Sequence, residues 1–222
     1  MIRLPLNLLV YSALLMSGFL VSGCGQSAIA ERQYYVLDAA REGKPAGVHS
    51  DATLRLRRFN VDAAFAAREL VYRVGEFRYE PDYYHQFLVL PGVMITEETR
   101  DWLANSGLFA RVTAVGSRLE SMYLLEGNVI DLHADFTQKA TPEAVVEIRF
   151  FLLAGPEAGE SVALSEAYRA ATPISARTAE AVVEALSRSL ADILTRLEAD
   201  IAKVLARPPD KAEALPDGKA AR

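Results

Sequence analysis

One cysteine in 222 residues sets the first limit on this fold. Cys24 lies in "FLVSGCGQSA", behind a run from Leu4 to Gly23 that holds no charge, and the body of the chain has no other sulfhydryl. A single cysteine closes no disulfide within the chain, so whatever folds downstream must be held by its own apolar core. The roughly 200 residues after the cysteine are enough for one domain with a sizeable core. They repeat at no fixed period.

The N-terminus has one positive charge, Arg3, then the apolar run, then small residues, which is the pattern of a secretory leader. A run of this length could span a bilayer. It is a poor spanning helix, because Pro5, Asn7, Ser12, Ser17, Gly18, Ser22 and Gly23 dilute it and no basic cluster flanks its far side. Val21-Ser22-Gly23-Cys24 resembles the bacterial lipobox, in which a diacylglycerol joins the cysteine sulfur and cleavage falls just before it. Cys24 is therefore expected to carry fatty acyl chains such as palmitate, with residues 1–23 as the leader. Each buried CH₂ contributes about 0.8 kcal/mol, so three acyl chains give stable anchoring. Gly25, in place of an aspartate, resembles the sorting signal for the outer membrane. Residues 24–33 form a lipidated tether, and its nine residues after the cysteine reach at most about 30 Å.

The full sequence has a net charge of −5, and loss of the leader removes one arginine and no acid. That balance argues against nucleic acid, and against an anionic membrane face, as the main partner. At the far end Pro208-Pro209 stops the last helix. Residues 208–222 are polar, small and charged, which reads as a disordered tail.

Between tether and tail, residues 34–207 read as one domain. "YYVLD", residues 34–38, reads as a first strand. Leu54 and Leu56 alternate with Arg55 and Arg57, and Arg58 breaks the alternation, which predicts a bulge or a strand end. Residues 63–68 read as a short helical turn. Leu70, Tyr72 and Val74 then form one strand face. Gly75-Glu76 predicts a two-residue turn with the glycine at positive φ, and Phe77 and Tyr79 continue on the returning strand.

Residues 96–106 read as an amphipathic helix with Thr96 as N-cap and Glu97 and Glu98 in the first turn, or a helix that starts earlier with Pro91 in its first turn. Trp102 and Leu103 face the core and Gly107 closes the helix. A strand over 108–115 follows. Three longer strands, near 122–136, 145–154 and 162–169, fit antiparallel hairpins. Last, Val183, Leu186, Leu190, Ile193, Leu197, Ile201 and Val204 step by three and four over a helix of residues 177–207. That stripe packs on one face of the sheet or, over barely three heptads, meets a coiled-coil partner.

Motif chemistry is absent. The chain has no GxxxxGK[ST], GxSxG, HExxH or CxxC. Its histidines are His49, His85 and His133. Alternation places Asp131, His133 and Asp135 on one strand face, where same-face neighbours sit ~7 Å apart, wide for one small ion. This face reads as solvated. No catalytic residue, metal ligand or cofactor beyond the covalent lipid is expected. The feature left over is "RYEPDYYHQF", residues 78–87, where Tyr79, Tyr83, Tyr84 and Phe87 crowd a proline-containing turn. These rings either cover the sheet or form an interface, since tyrosine-rich segments offer rigid amphipathic area.

A lipobox, then "YYVL", then "ELVYRVGEFRYEPDYYHQFLVLPGVMITEETRDWLANSGLFARV", then "YLLEG" resembles the ABC-type transport auxiliary lipoproteins. Many members carry a tryptophan shortly after the tyrosine–histidine pair, where this chain has Phe87. The resemblance implies a single α/β or α+β domain similar to the TolB N-terminal domain: a mixed, mostly antiparallel sheet with helices packed on it and a long C-terminal helix. It implies a non-enzymatic, periplasm-facing adaptor on the outer membrane. Its partners would be a protein with mammalian-cell-entry domains and an ABC permease and ATPase that move lipid. A homo-oligomeric collar is a further implication. A second functional class left open is an autonomous periplasmic lipoprotein that binds a lipid or small apolar ligand in its own pocket, and a third is a periplasmic hydrolase built on Asp131, His133 and Asp135.

Overall fold

A computed structural model describes residues 31–42, 50–113, 116–117, 119–155 and 161–206. Cys24, the leader, the start of the tether and the tail therefore lie outside the described residues. Among the described residues, nine strands form one mixed sheet and two helices accompany it: β1 (Gln33–Tyr35), β2 (Thr53–Leu56), β3 (Asn60–Val61), β4 (Glu69–Arg73), β5 (Tyr79–Phe87), α1 (Pro91–Ser106), β6 (Arg111–Thr113), β7 (Tyr123–Asp135), β8 (Glu143–Ala154), β9 (Ser161–Pro173) and α2 (Ala179–Leu205).

β7 is the spine. Along one edge it pairs antiparallel with β8 over its whole length, and β8 pairs with β9 in the same sense. Its other edge is shared in the parallel sense by β2, β3 and β4 in turn. Outside β2 lies β6, and outside β4 come β5 and then β1. The three-strand meander β7–β9 and the long helix follow the sequence reading.

The bulge expected near Arg58 is the hinge of this packing. Leu56 pairs with Leu125 and Asn60 with Asn128, so the β2–β3 run has one residue more than its partner. The extra length turns Phe59 inward, 5.5 Å and edge-on to Phe150. A Cβ on Gly127 would lie 2.7 Å from the Phe59 ring, so this glycine is the seat of the ring. The Phe59 N–H donates to Thr96 Oγ1 (2.9 Å), and Thr96 donates to the Gly92 carbonyl (2.5 Å). Gly127→Ala is expected to lower stability by about 1–3 kcal/mol, as overpacking does. A lower urea midpoint measures it, and Phe59→Leu in the same chain should recover part of the loss.

Thr96 is thus not an N-cap. The helix begins at Pro91, whose missing N–H costs nothing in the first turn, and Thr96 and Glu98 are interior residues that bond outward. Glu98 accepts the Ala39 N–H (3.0 Å). Gly107, at φ 76°, ends the helix as expected. Trp102 and Leu103 are buried. β1 stops at Tyr35, short of the expected strand, because the next N–H groups leave the sheet: Leu37 donates to Met94 Sδ and Asp38 to Ser187 Oγ. Leu108 and Phe109 are buried but precede β6.

The α2 stripe is buried within the domain from Val183 to Ile201, with Leu190, Ile193 and Leu197 wholly so. It lies over Ala144, Val146, Ile148, Phe150 and Leu152, the fully buried face of β8. Thr178 caps its start by accepting the Ala181 N–H. Ser189 Oγ sits 3.0 Å from the Ala144 carbonyl and 2.8 Å from Thr172 Oγ1, and Tyr168 donates to Asp200 (2.8 Å). The stripe is consumed by the sheet, so the coiled-coil alternative does not hold.

Candidate interface

The β4–β5 hairpin departs from the expected form at both ends. Its turn spans Gly75, Glu76 and Phe77, closed by the Val74 N–H on the Arg78 carbonyl (2.9 Å). The positive-φ glycines among the described residues are Gly107, Gly116 and Gly155, so Gly75 is not one of them. One more residue in the loop removes the need for a left-handed backbone there. Phe77 does not continue the strand; it sits at the tip, 90% exposed.

Further along, Leu70 pairs with Asp82 but Glu69 pairs with Gln86. Tyr83, Tyr84 and His85 are three extra residues bulged out of β5. Asp82 holds the bulge. Its Oδ1 accepts the N–H groups of Tyr84 (2.9 Å) and His85 (3.1 Å), and its Oδ2 accepts the Tyr72 hydroxyl (2.9 Å) and lies 2.7 Å from His85 Nδ1. Burial alone would raise the Asp82 pKa, but these bonds, led by His85, hold it below the ordinary carboxylate range. Behind it, burial and the hydrogen bond to Glu180 push the Tyr35 hydroxyl up to about 12.

The bulge presents Tyr83 and Tyr84 edge to face (5.3 Å) with Tyr83 58% exposed. Arg32 lies 4.0 Å over the Tyr83 ring. Tyr34, Val36, Leu88, Val89 and Leu90 are exposed beside them, and Arg68 lies over Tyr34 (5.8 Å). The result is one apolar and aromatic strip along the β1–β5 edge. Phe87 is not part of it: it is 2% exposed and belongs to the core. Three extra residues reverse the strand's alternation, so Phe87 turns to the helix side with Tyr35 while Tyr79 stays on the other face. Sequence reasoning missed Tyr34, Val36 and Leu88–Leu90. A run such as "LVL" looks like core until it is seen to lie between the end of β5 and the start of α1.

Tyr79, expected in the interface, packs instead on that other face. The face of Asp131, His133 and Asp135 is covered, contrary to the solvated reading: His133 is 2% exposed. Phe65, from the turn after β3, stacks on it (5.6 Å, 16°), and Tyr79 meets it edge-on (5.5 Å). Neither ring nitrogen has a hydrogen-bond partner, and Asp131 is 3.6 Å away, too far for one. Asp131 instead pairs with Arg169 (2.9 Å), and Asp135 with Arg73 (3.2 Å). Burial lowers the His133 pKa despite both carboxylates, so the folded state favours the neutral ring. Its stabilising share is full above the unfolded value of about 6.5 and is lost as pH falls towards the folded value. His133→Leu is expected to hold the melting temperature near neutral pH and to flatten its fall between about pH 6.5 and 5. Melting curves across that window check it.

The family of ABC-type transport auxiliary lipoprotein components matches residues 35–202, and the chain belongs to it. A solved structure from Xanthomonas campestris, of the family DUF330, aligns with TM-score 0.68 at 19% identity, over 78% of this chain and 96% of that one. A second solved protein, described as uncharacterized, aligns with TM-score 0.61 at 13% identity, over 77% and 99%. At these identities the likeness is one of fold. No curated protein matches the sequence.

Proposed function

We propose that this lipoprotein is a non-catalytic adaptor, anchored in the outer membrane through Cys24. It would hold the periplasmic end of an ABC transport system that moves lipid with a mammalian-cell-entry-domain protein. The observation that carries this is the exposed β1–β5 strip, built on a bulge that four contacts to one carboxylate hold in place. An interface with rigid tyrosines loses little entropy when it docks. Anchoring adds to this by raising the effective concentration of the domain at its membrane.

The strip favours an adaptor over an autonomous lipid binder. Two clefts among the described residues, of about 400 and 300 Å³, carry ionised groups that a lipid tail cannot pair: Asp38, Glu42, Arg188 and Asp192 in one, Asp82, Arg177 and Glu180 in the other. The anchor is tested by growth with labelled palmitate and separation of the two membranes on a density gradient. The wild type is expected to take up label and band with the outer membrane, and Cys24→Ala to take up none and leave that band. Label on the alanine variant, or a wild type that bands with the inner membrane, contradicts the assignment.

A further inference from the structure

We infer that the β4–β5 hairpin tip rests in the phospholipid headgroup layer of the leaflet that holds the Cys24 anchor. This rests on the anchored reading above. β1 runs parallel to β5, with Gln33 beside His85 and Tyr35 beside Phe87. The backbone therefore enters the sheet at Arg32 from the side of the hairpin tip. Seven residues lie between Cys24 and Arg32, a reach of no more than about 30 Å. That reach is long enough for the leaflet that holds the anchor to meet the end of the domain that bears the tip.

That end has the chemistry of an interfacial surface. Phe77 is 90% exposed at its apex, and Tyr79, two residues on at the start of β5, is 43% exposed. Tyrosine rings sit at the level of lipid headgroups, and a phenylalanine on an interfacial surface buries at the boundary of headgroups and acyl chains. Around them lie cations that can reach phosphates. Arg78 flanks Phe77 and pairs with Glu80 at 3.3 Å. The β7–β8 turn arrives at the same end, since the Phe136 N–H donates to the Arg73 carbonyl (2.8 Å), and it brings the exposed Lys139. The β9–α2 link arrives there too, with the Ile174 N–H on the Pro142 carbonyl, and places Arg177 against the Lys139 carbonyl (3.0 Å). Acids sit among them at Glu76 and Glu80, so the ring, and not net charge, sets the attachment. The β1–β5 strip then stands along the membrane normal, leading away from the leaflet.

The test uses the acylated full chain in vesicles of phosphatidylethanolamine and phosphatidylglycerol, with and without brominated acyl chains. Phe77→Trp adds a reporter at the tip. Val162→Trp adds one at the opposite end of the sheet, also exposed. Wild type supplies the background of Trp102, which is buried and bonded to Glu198 (2.7 Å). The added fluorescence of Phe77→Trp is expected to shift to the blue and to be quenched by bromine, and that of Val162→Trp to do neither. Flotation of each sample separates the two claims. If the protein floats but Phe77→Trp stays unquenched, the tip does not meet lipid and the inference fails alone. A blue shift without quenching places a protein at the tip and also overturns it. If the wild type does not float, the anchor itself fails and takes the inference with it.

Discussion

Leu190→Ala is expected to reduce the free energy of unfolding by about 2–5 kcal/mol, the range for a buried leucine cut back to alanine. Leu190 sits mid-helix in α2 with no exposed surface, part of the stripe that covers the inner face of β8. The helix that would have to close the hole is fastened nearby by Ser189 to Ala144 and Thr172, so it cannot settle freely into the gap. Urea denaturation should show a lower midpoint with an unchanged slope. With no disulfide among its residues to share the load, the domain has only a modest total to lose. A change below about 0.5 kcal/mol, the range of a surface substitution, would mean that the α2 stripe is not the core of the fold.

Asp82→Ala is expected to cost on the order of 2–3 kcal/mol, since hydrogen bonds to a charged group are the strong ones and their donors are left without partners. The damage should be local. The Tyr72 hydroxyl and the N–H groups of Tyr84 and His85 lose their acceptor together, so the bulge loses its shape and the tyrosine strip with it. Amide exchange at residues 83–86 should rise while β7–β9 stays protected. The pH dependence has a definite sign. The Asp82 pKa is lowered in the fold, so its contribution is complete above the unfolded value of about 3.9 and is lost as pH falls through the folded one. The alanine variant should lack that part of the acid transition. Asp82→Asn keeps an acceptor for the two N–H groups and should rescue much of the bulge but not the pH dependence.

The residues differ in how much of this they disclose. β7, β8, β9 and α2 are legible because alternation and the three-four stripe run unbroken for a dozen residues or more, long enough for the period to speak. The bulge at Arg57–Phe59 is legible because two arginines in a row interrupt the pattern. β5 is not, because its alternation is reset by a side chain: Asp82 satisfies N–H groups that a strand would pair, and Phe87 changes face as a result. The depth of His133 is not legible either. It depends on Phe65, nearly seventy positions away in sequence, folding over the strand. The exposed run Leu88–Leu90 is misleading in the same way, since only the fold shows that β5 ends at Phe87 and leaves the run outside the core.

The claim that this chain is a tethered adaptor is tested most directly by crosslinked capture from native membranes, with an affinity tag placed after Pro209. Wild type and Cys24→Ala are run side by side and the proteins retained by each are identified. The account predicts that a protein with mammalian-cell-entry domains is captured with the wild type and falls away with the variant. Capture of no such protein by either, with lipid bound to the domain alone, contradicts the adaptor and supports an autonomous lipid-binding lipoprotein in its place.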